Sequence, residues 1–415
     1  MAFGDPIIRQ NSQSINAMNV NTILNKTLSF VTPNMHATRR NAMTACVTSI
    51  LAGSTATVTS IGRGIQSDIA DKHNIKRADR LLSNSYLLRE LPNIYALSTR
   101  LFTAVTPHPV IHIDWSDLDE YKRHFLLRAS MAFDGRSVTL YEEVHDIKTK
   151  EKPQTHKLFL NTLKVMLPDK SVPIIVTDAG FKGPWFSTVS TLGWHYVGRA
   201  RKPNFFHTGE QNWQCITSLY PNATNIPEAF SGQLCRYRPM DTLFVLYKEK
   251  TKGRHKINRY GTQSLFKPSR AAAKRSRDPW LLVTSLPSKH NIGKKVVSIY
   301  QTRMQIEEGF RDMKSHRYGL GFDINLSKQK NRISILILLT TLSALVTTLI
   351  GWTVTQANKH RRYQANSIKD RRVLSYHFIG LRAFVDKKLK LTTSDWKEAI
   401  MQLKIALQQA NYDAI

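Results

Sequence analysis

The chain has 415 residues, of which 41% are hydrophobic, and its 60 Lys and Arg stand against 30 Asp and Glu. This hydrophobic content excludes a globally disordered protein, and the length is enough for several domains with buried cores. The net charge of +30 indicates a polyanionic partner, and it favours nucleic acid because each neutralised phosphate releases counterions. Cys46, Cys215 and Cys235 lack CxxC spacing, which indicates a reducing compartment and no structural zinc.

The first hundred or so residues are predicted to be helical, because hydroxyl and asparagine capping residues recur and strand-like runs are few. Within them, HNIKRADRLLSN (73–84) places Lys76, Arg77 and Arg80 at helical spacing, with Leu81 and Leu82 behind. This pattern fits a helix lying on a phosphate backbone. It fits an exposed basic face with no specific partner equally well.

From Pro109 the sequence becomes rich in strand-forming residues. PVIHIDWSD (109–117) is predicted to be a short apolar strand ending in carboxylates, and β-rich runs at 123–133 and 136–144 flank the turn signal Asp134-Gly135. A helix at 155–167, a strand within 172–180 that stops on Asp178, a helix at 185–192 and a strand at 195–200 follow. The order predicts a mixed sheet with helices packed on it.

Residues 201–287 are rich in Lys, Arg, Asn, Ser and Gly, yet β-like runs at 241–247 and 280–286 indicate a β-rich insertion. Helical character returns at about Lys294 and continues through an apolar run, Ile333–Val354. This run is long enough to span a bilayer, but its five threonines and two serines, and the lack of a second apolar segment, favour a helix buried in a core. A basic segment (359–390) and a final helix (393–409) follow.

The stretch YQTRMQIEEGFRDMK (300–314) is predicted to be one helix with two distinct faces. At about 100° per residue, one stripe roughly 80° wide carries a carboxylate among cations and a tyrosine, and an apolar stripe lies beside it. In isolation this is also the pattern of a solvated amphipathic helix with a few ion pairs. The first stripe holds Tyr300, Arg303, Glu307, Arg311 and Lys314, and the apolar stripe holds Ile299, Ile306, Phe310 and Met313.

Asp114 and Asp178 are predicted to reach one edge of the sheet from adjacent strands, and Glu307 is the natural third carboxylate. Convergent oxygen ligands suit Mg²⁺, and two such ions can activate a hydroxyl and stabilise the leaving oxygen of a phosphodiester. Each aspartate read alone is also a common turn or cap residue. Spacing does not choose between these acids and their neighbours, which are Asp117, Asp119, Glu120 and Glu308.

A resemblance to a known family adds to this interpretation. Tyr300, Arg303, Glu307 and Lys314 reproduce the Y-(2)-R-(3)-E-(6)-K signature of bacterial insertion sequence 4 family transposases. The chain resembles the transposon 10 branch of that family from about residue 73 to 380. The blocks that carry the resemblance are HNIKRADRLLSN, DWSDLDEYKRHFLLRASMAFDGRSVTLYE, VTDAGFKGPWF, DPWLLVTSLP, YQTRMQIEEGFRDMK and QANSIKDRRVLS.

The resemblance implies an α/β fold, in which an RNase H-like mixed-sheet catalytic core carries a β-rich insertion domain and follows a helical DNA-end-binding region. The boundaries we predict are 1–105 for the helical region, 106–200 and 291–375 for the two parts of the core, 201–290 for the basic insertion and 376–415 for a C-terminal helical region.

The resemblance also implies the site. Asp114, Asp178 and Glu307 become the catalytic, metal-binding triad for Mg²⁺, with Mn²⁺ as a substitute. Tyr300, Arg303 and Lys314 grip DNA around the scissile phosphate, and Trp280 stacks a flipped base.

The implied reaction is cut-and-paste transposition by nicking, hairpin formation, hairpin opening and strand transfer. The implied partners are double-stranded DNA, both terminal inverted repeats and target, and a second copy of the chain in a synaptic homodimer. The place of action that the resemblance implies is the bacterial cytoplasm, at the nucleoid when bound to DNA and without membrane association. The alternatives are a non-catalytic nucleic-acid-binding protein, an RNase H-like nuclease without strand transfer, and a membrane-associated basic protein built around Ile333–Val354.

Overall fold

The computed structural model describes residues 17–410 except 210–211, 250–261, 263–264, 266–277, 318, 366 and 369. Within these residues the chain is a mixed α/β protein, with a ten-stranded sheet and helices packed against it. Most of residues 250–277, which are rich in Lys and Arg, lie outside the described residues. That they belong to a β-rich insertion therefore stays a prediction.

The residues before the sheet are helical, as predicted. Asn19, Thr57 and Asn84 cap three of the helices with side-chain oxygens that accept backbone N–H groups. The HNIKRADRLLSN stretch lies mainly in the fourth helix, which packs against the second and third. The elements are β1 (Ala17–Met18), α1 (Val20–Val31), α2 (Ala37–Leu51), α3 (Val58–Gly64), α4 (Asp71–Leu82) and α5 (Ser85–Thr103).

Five strands form one half of the sheet. They are β2 (Val110–Asp117), β3 (His124–Phe133), β4 (Arg136–Asp146), β5 (Ile174–Thr177) and β6 (His195–Ala200), and helices α6 (Pro153–Met166) and α7 (Gly183–Thr191) precede and follow β5. Their order is β4-β3-β2-β5-β6, with β2, β5 and β6 parallel and β3 antiparallel to both of its neighbours. The predicted turn Asp134-Gly135 joins β3 to β4 with positive φ at both residues. This arrangement is consistent with an RNase H-like core.

The strands between residues 201 and 290 continue the same sheet. β11 pairs antiparallel with β6, from Leu281 opposite Ala200 to Thr284 opposite Val197, and the order runs on as β11-β10-β9-β7-β8. The apolar residues of β10 and β11 are buried, as expected for strands covered on both faces. The elements are β7 (Phe205–His207), β8 (Gln214–Cys215), β9 (Glu228–Leu234), β10 (Met240–Tyr247) and β11 (Trp280–Thr284).

The C-terminal part is built around one long apolar helix. The elements are α8 (Ile292–Gln301), α9 (Met304–Lys314), α10 (Lys330–Gln356), α11 (Tyr376–Val385), β12 (Leu391–Thr392) and α12 (Thr393–Gln409). By length and composition α10 could cross a membrane, but 83% of its most apolar window is buried inside the protein. It packs against α2, α11 and α12, so the prediction of a core helix is confirmed.

Two glycines allow α10 and α11 to cross in close contact. A Cβ on Gly380 would lie 1.9 Å from the carbonyl oxygen of Thr347, and a Cβ on Gly351 would lie 1.9 Å from the carbonyl oxygen of Tyr376. Both obstacles are backbone atoms, so neither can move aside without separating the helices. The crossing therefore requires glycine at both positions.

We expect Gly380→Ala to destabilise the protein by about 3 kcal/mol or more, because overpacking against backbone cannot relax. The melting temperature measured by circular dichroism should fall by roughly 3–4 °C or more, because the unfolding entropy of a 415-residue chain is large. Gly309→Ala in α9 is the matched control, since its Cβ would lie 3.5 Å from Arg128 and Ser137, an ordinary contact. The control should melt with or slightly above the parent. If Gly380→Ala also melts with the parent, the crossing is looser than described.

Candidate active site

Asp114 and Asp178 lie on neighbouring parallel strands. Asp178 directly follows β5, as predicted. Asp114 lies within β2, which continues to Asp117 as the strand predicted at 109–117 does, because β3 pairs with it along this whole length. The ladder sets His112 opposite Val176, and two further positions bring Asp114 level with Asp178. The two aspartates therefore reach the same edge of the sheet.

The stretch 300–314 is not one continuous helix, contrary to the prediction. The helix α8 ends at Gln301, and α9 begins at Met304. The hydroxyl of Thr302 donates to the carbonyl of Ile299 at 2.6 Å and lies 2.8 Å from Nε2 of His112. Since the hydroxyl proton goes to Ile299, Nε2 of His112 donates to Thr302. The buried His112 therefore fixes the junction of the two helices over the strand that carries Asp114.

The guanidinium of Arg303 lies at this junction between two carboxylates. Nη2 is 2.5 Å from Oε1 of Glu307, and Nη1 is 3.5 Å from Oδ2 of Asp114. The side chains of Arg303 and Asp114 are 15% and 16% exposed, whereas that of Glu307 is 43% exposed. Glu307 can therefore reorient more readily than its two partners.

The pKa of Asp114 responds to burial and to the charges of both other acids. Burial raises the pKa of Asp114 to about 7, and the negative charges of Asp178 and Glu307 add to the rise. The charge of Arg303 opposes the rise, as does the backbone N–H of Trp115, which donates to Oδ1 at 2.8 Å. Asp114 in the free protein is thus poised between its protonated and ionised forms near neutral pH.

Sequence spacing did not choose between Glu307 and Glu308 as the third carboxylate. The structure places the two side chains in different surroundings. Glu308 pairs with Arg136 of β4 at 3.4 Å and with Arg311 of its own helix. Arg136 also pairs with Asp312 at 3.0 Å, so this group links the β3–β4 turn to α9. Glu308 therefore belongs to an ion-pair network on the other side of α9 from Arg303.

Lys314 also lies close to β2. Its Nζ donates to Oγ of Ser116 at 2.7 Å and to the carbonyl of Asp117. Burial lowers the pKa of Lys314, partly offset by the charge of Asp117. The ammonium group therefore sits at the same end of β2 as Asp114, within the reach of a phosphate approaching that edge.

An aromatic cluster borders the site on the insertion side. The ring of Trp280 lies 5.1 Å from that of Tyr300 and 5.7 Å from that of Tyr247, both edge to face, and the guanidinium of Arg199 is 6.0 Å from its centroid. Tyr300 itself is only 6% exposed. It is therefore packed against Trp280. The helical stripe predicted that Tyr300 shares an open face with Arg303 and Glu307, and the structure does not show this shared face.

The comparison with protein families decides the class of protein. A family model described as the transposase DDE domain matches residues 106–346, a span that holds strands β2 to β11 and α9. The chain belongs to the transposase DDE domain family. No curated protein matches it. Membership makes this chain a transposase that acts on DNA by polynucleotidyl transfer or cleavage. The insertion sequence 4 family and its transposon 10 branch stay predictions.

Divalent metal ions are general in DDE transposases, so the residues of this one can be tested for fit. Among the described residues no three His, Cys, Asp or Glu side chains are grouped closely enough to form a metal cluster. The donors nevertheless suit a hard cation, because Asp114, Asp178 and Glu307 offer carboxylate oxygens at one edge of a sheet. The fit requires Glu307 to leave Arg303, and its exposure allows this movement.

Lys76, Arg77 and Arg80 lie on α4 of this transposase, away from the carboxylates in sequence. Lys76 and Arg80 are exposed and Arg77 is partly buried. Lys76 pairs with Asp79 at 3.2 Å, and Asp79 also pairs with Arg332 of α10 at 2.8 Å. The helix is therefore fixed to the core, and a role of its basic side chains in binding DNA stays a prediction.

His112 is a site residue that the sequence did not reveal. It alternates with apolar residues in β2 and so resembles an ordinary core position. The signal that could have identified it is its spacing from Asp114, since residues i and i+2 of a strand face the same side. Its partner Thr302 gave no signal at all, because threonine is common within helices and the contact joins distant parts of the chain.

Proposed function

We propose that this transposase cuts at the ends of an insertion sequence and joins the freed ends to target DNA, with Asp114, Asp178 and Glu307 as its metal-binding carboxylates. The observation that supports the proposal is the position of two aspartates at one edge of the sheet, with the helix of Glu307 beside them. The aspartates lie level on adjacent strands, and Glu307 lies on a helix whose Arg303 contacts both Glu307 and Asp114. The resemblance to the insertion sequence 4 family supports the finer assignment.

The three carboxylates would hold Mg²⁺ or Mn²⁺. Two such ions, when bound there, would supply positive charge to polarise a phosphodiester and activate the attacking oxygen. Backbone groups of the chain hold the two aspartates in position. The backbone N–H of Trp115 donates a hydrogen bond to the carboxylate of Asp114. The backbone N–H of Gly180 donates one to the carboxylate of Asp178, at 2.8 Å.

Arg303 and Lys314 provide the positive charges for the DNA backbone. In the free protein Arg303 neutralises Asp114 and Glu307, which would otherwise repel each other across the site. When Glu307 turns away from it, the guanidinium of Arg303 would be free to form a bidentate contact with a phosphate. Lys314 approaches from the end of β2 as a second point charge. Because two DNA ends must be joined, we propose that two copies act together as a synaptic dimer.

The test is cleavage of labelled DNA taken from the flanks of the gene, with Mg²⁺ and, in parallel, with EDTA. The proposal expects nicks followed by hairpins and, with added target, joined products in Mg²⁺ and none of these in EDTA. Binding of the ends without cleavage would identify a non-catalytic DNA-binding protein. Nicks without hairpins or joining would identify a nuclease that lacks strand transfer.

Trp280 is proposed to stack a flipped base during hairpin formation, since its ring borders the site and is partly exposed. Stacking on an aromatic side chain contributes about 1–3 kcal/mol, so we expect Trp280→Ala to lower the hairpin rate roughly 10- to 100-fold. The first nick should change by less than about threefold, because it requires no flipped base. Gel analysis of both products measures the two rates in one reaction.

Trp280→Phe is the matched control, because it keeps an aromatic face at the same position. It should retain most of the hairpin rate. Equal loss of nicking and hairpin formation in Trp280→Ala would contradict the stacking role and indicate a packing defect in the cluster with Tyr247 and Tyr300.

A further inference from the structure

A buried ion pair lies beneath α9, outside the group of residues assigned above. Nε of Arg128 on β3 is 2.9 Å from Oε1 of Glu142 on β4, and the two side chains are 4% and 1% exposed. Thr341 of α10 donates its hydroxyl to the same Oε1 at 2.9 Å. The pair is therefore enclosed between the sheet and two helices.

The register of the sheet ties this pair to the catalytic strand. Arg128 is directly opposite Asp114 in the β2–β3 ladder and directly opposite Glu142 in the β3–β4 ladder. Residues paired in this way project to the same face of a sheet. Asp114, Arg128 and Glu142 therefore form one row across three strands, with Arg128 in the middle.

The guanidinium of Arg128 supports the inner face of α9. It lies 4.7 Å from the ring centroid of Phe310, and Nη2 is 3.1 Å from Sδ of Met313. At Gly309 a Cβ would be 3.5 Å from Nη1, so the helix backbone also approaches Arg128 closely. Three positions of α9, Gly309, Phe310 and Met313, therefore lie against the side chain of Arg128, and the first of them is two residues after Glu307.

The stability of the fold alone does not explain why a buried ion pair, Arg128 with Glu142, occupies this position. A buried ion pair costs desolvation free energy, and well-packed apolar residues of similar volume often serve stability as well or better. A planar guanidinium held by a carboxylate is, however, a rigid support with a defined height above the sheet. Glu142 and Thr341 hold that support from the side opposite Asp114.

We propose that Arg128 is a positioning residue that sets the height and rotation of α9 above the sheet, and thereby places Glu307 relative to Asp114 and Asp178. The inference rests on the proposed function, in which Glu307 is a metal ligand. Arg128 is suited to this role because its own position relative to Asp114 is fixed by the ladder of β2 and β3.

The test uses the full chain with Arg128→Met and Glu142→Gln combined, which removes both charges and keeps an acceptor for Thr341. The readouts are the melting temperature, the affinity for end DNA, the cleavage rate at saturating DNA and Mg²⁺, and Mn²⁺ affinity by electron paramagnetic resonance. We expect a folded protein with parental DNA affinity. Cleavage should be slower by about 10- to 100-fold, because a misplacement of the order of 1 Å has this effect. Mn²⁺ affinity should fall by about tenfold.

The matched control is Arg39→Met with Glu90→Gln, which removes a pair of the same residue types between α2 and α5. It should leave the cleavage rate and the Mn²⁺ affinity within about twofold of the parent, because α9 is not supported by it. An equal loss in this control would overturn the proposal, since the effect would then be general.

If the double variant does not fold, Arg128→Lys decides the question. It keeps the charge opposite Glu142 but lacks the plane that lies against Phe310 and Met313, and we expect cleavage slower by about fivefold or more. A folded double variant, or Arg128→Lys, that cuts and binds Mn²⁺ like the parent would overturn the inference. A parent that binds Mn²⁺ but cuts no DNA would instead refute the proposed function, and the Mn²⁺ affinities would still test Arg128.

Discussion

Glu307→Gln is expected to reduce strand cleavage by about 1,000-fold or more while the protein still binds element-end DNA. The amide removes the negative charge and the anionic oxygens that a hard cation prefers, so the third ligand of the proposed site is lost. DNA binding should persist or increase, because Arg303 loses the carboxylate 2.5 Å away and becomes available to phosphate. Single-turnover cleavage and a gel-shift titration measure the two effects separately.

Glu308→Gln is the matched control, because it makes the same chemical change one residue along the same helix. Glu308 pairs with Arg136 and Arg311 and not with Arg303, so its loss should slow cleavage by less than about fivefold. The assignment is wrong if the two variants behave alike, or if Glu308→Gln is the inactive one.

Asp114→Asn is expected to abolish cleavage and, in the absence of metal, to stabilise the protein at pH 8. The pKa of Asp114 is raised to about 7 from 3.8, so the folded protein binds this proton more tightly than the unfolded chain does. Stability contributed by the neutral form is present below about pH 4 and is lost as pH rises through about 7. Asparagine stays neutral throughout, so its advantage should grow over this window to about 2–4 kcal/mol.

Thermal melts between pH 4 and pH 8, with EDTA or Mg²⁺, measure this dependence. Added Mg²⁺ should raise the melting temperature of the parent at pH 8 and leave that of Asp114→Asn unchanged, because the ion binds the ionised carboxylate. Asp117→Asn, which changes a more exposed aspartate of the same strand, should show neither effect. A constant difference between Asp114→Asn and the parent at every pH would contradict the raised pKa.

Much of the fold follows from local patterns. The strands on either side of Asp134-Gly135, the helix and strand around Asp178, and the final helix 393–409 were all predictable from periodicity and turn residues. The apolar run Ile333–Val354 was correctly predicted to be a core helix, because its hydroxyl side chains can find polar partners on other elements in a protein interior, as Thr341 does with Glu142.

The remainder depends on contacts between distant parts of the chain. The break between α8 and α9 comes from Thr302 meeting His112, which no helical pattern contains. The continuation of the sheet from β6 into β11 comes from a pairing across the whole insertion. Similarly, Arg303 was predicted to meet DNA, but its bridge between Asp114 and Glu307 requires a strand and a helix that only folding brings together.

During synthesis of the chain, the apolar surface of α10 is exposed before the helices that cover it have been made. Its 27 residues leave the ribosome before α11 and α12, which later cover part of its apolar surface. Until they arrive, a long hydrophobic helix is available to chaperones, proteases and other nascent chains. We therefore expect products of early termination between residues 357 and 375 to be removed or to aggregate. A truncated protein that keeps Asp114, Asp178 and Glu307 would then seldom persist to compete with the full-length transposase for DNA.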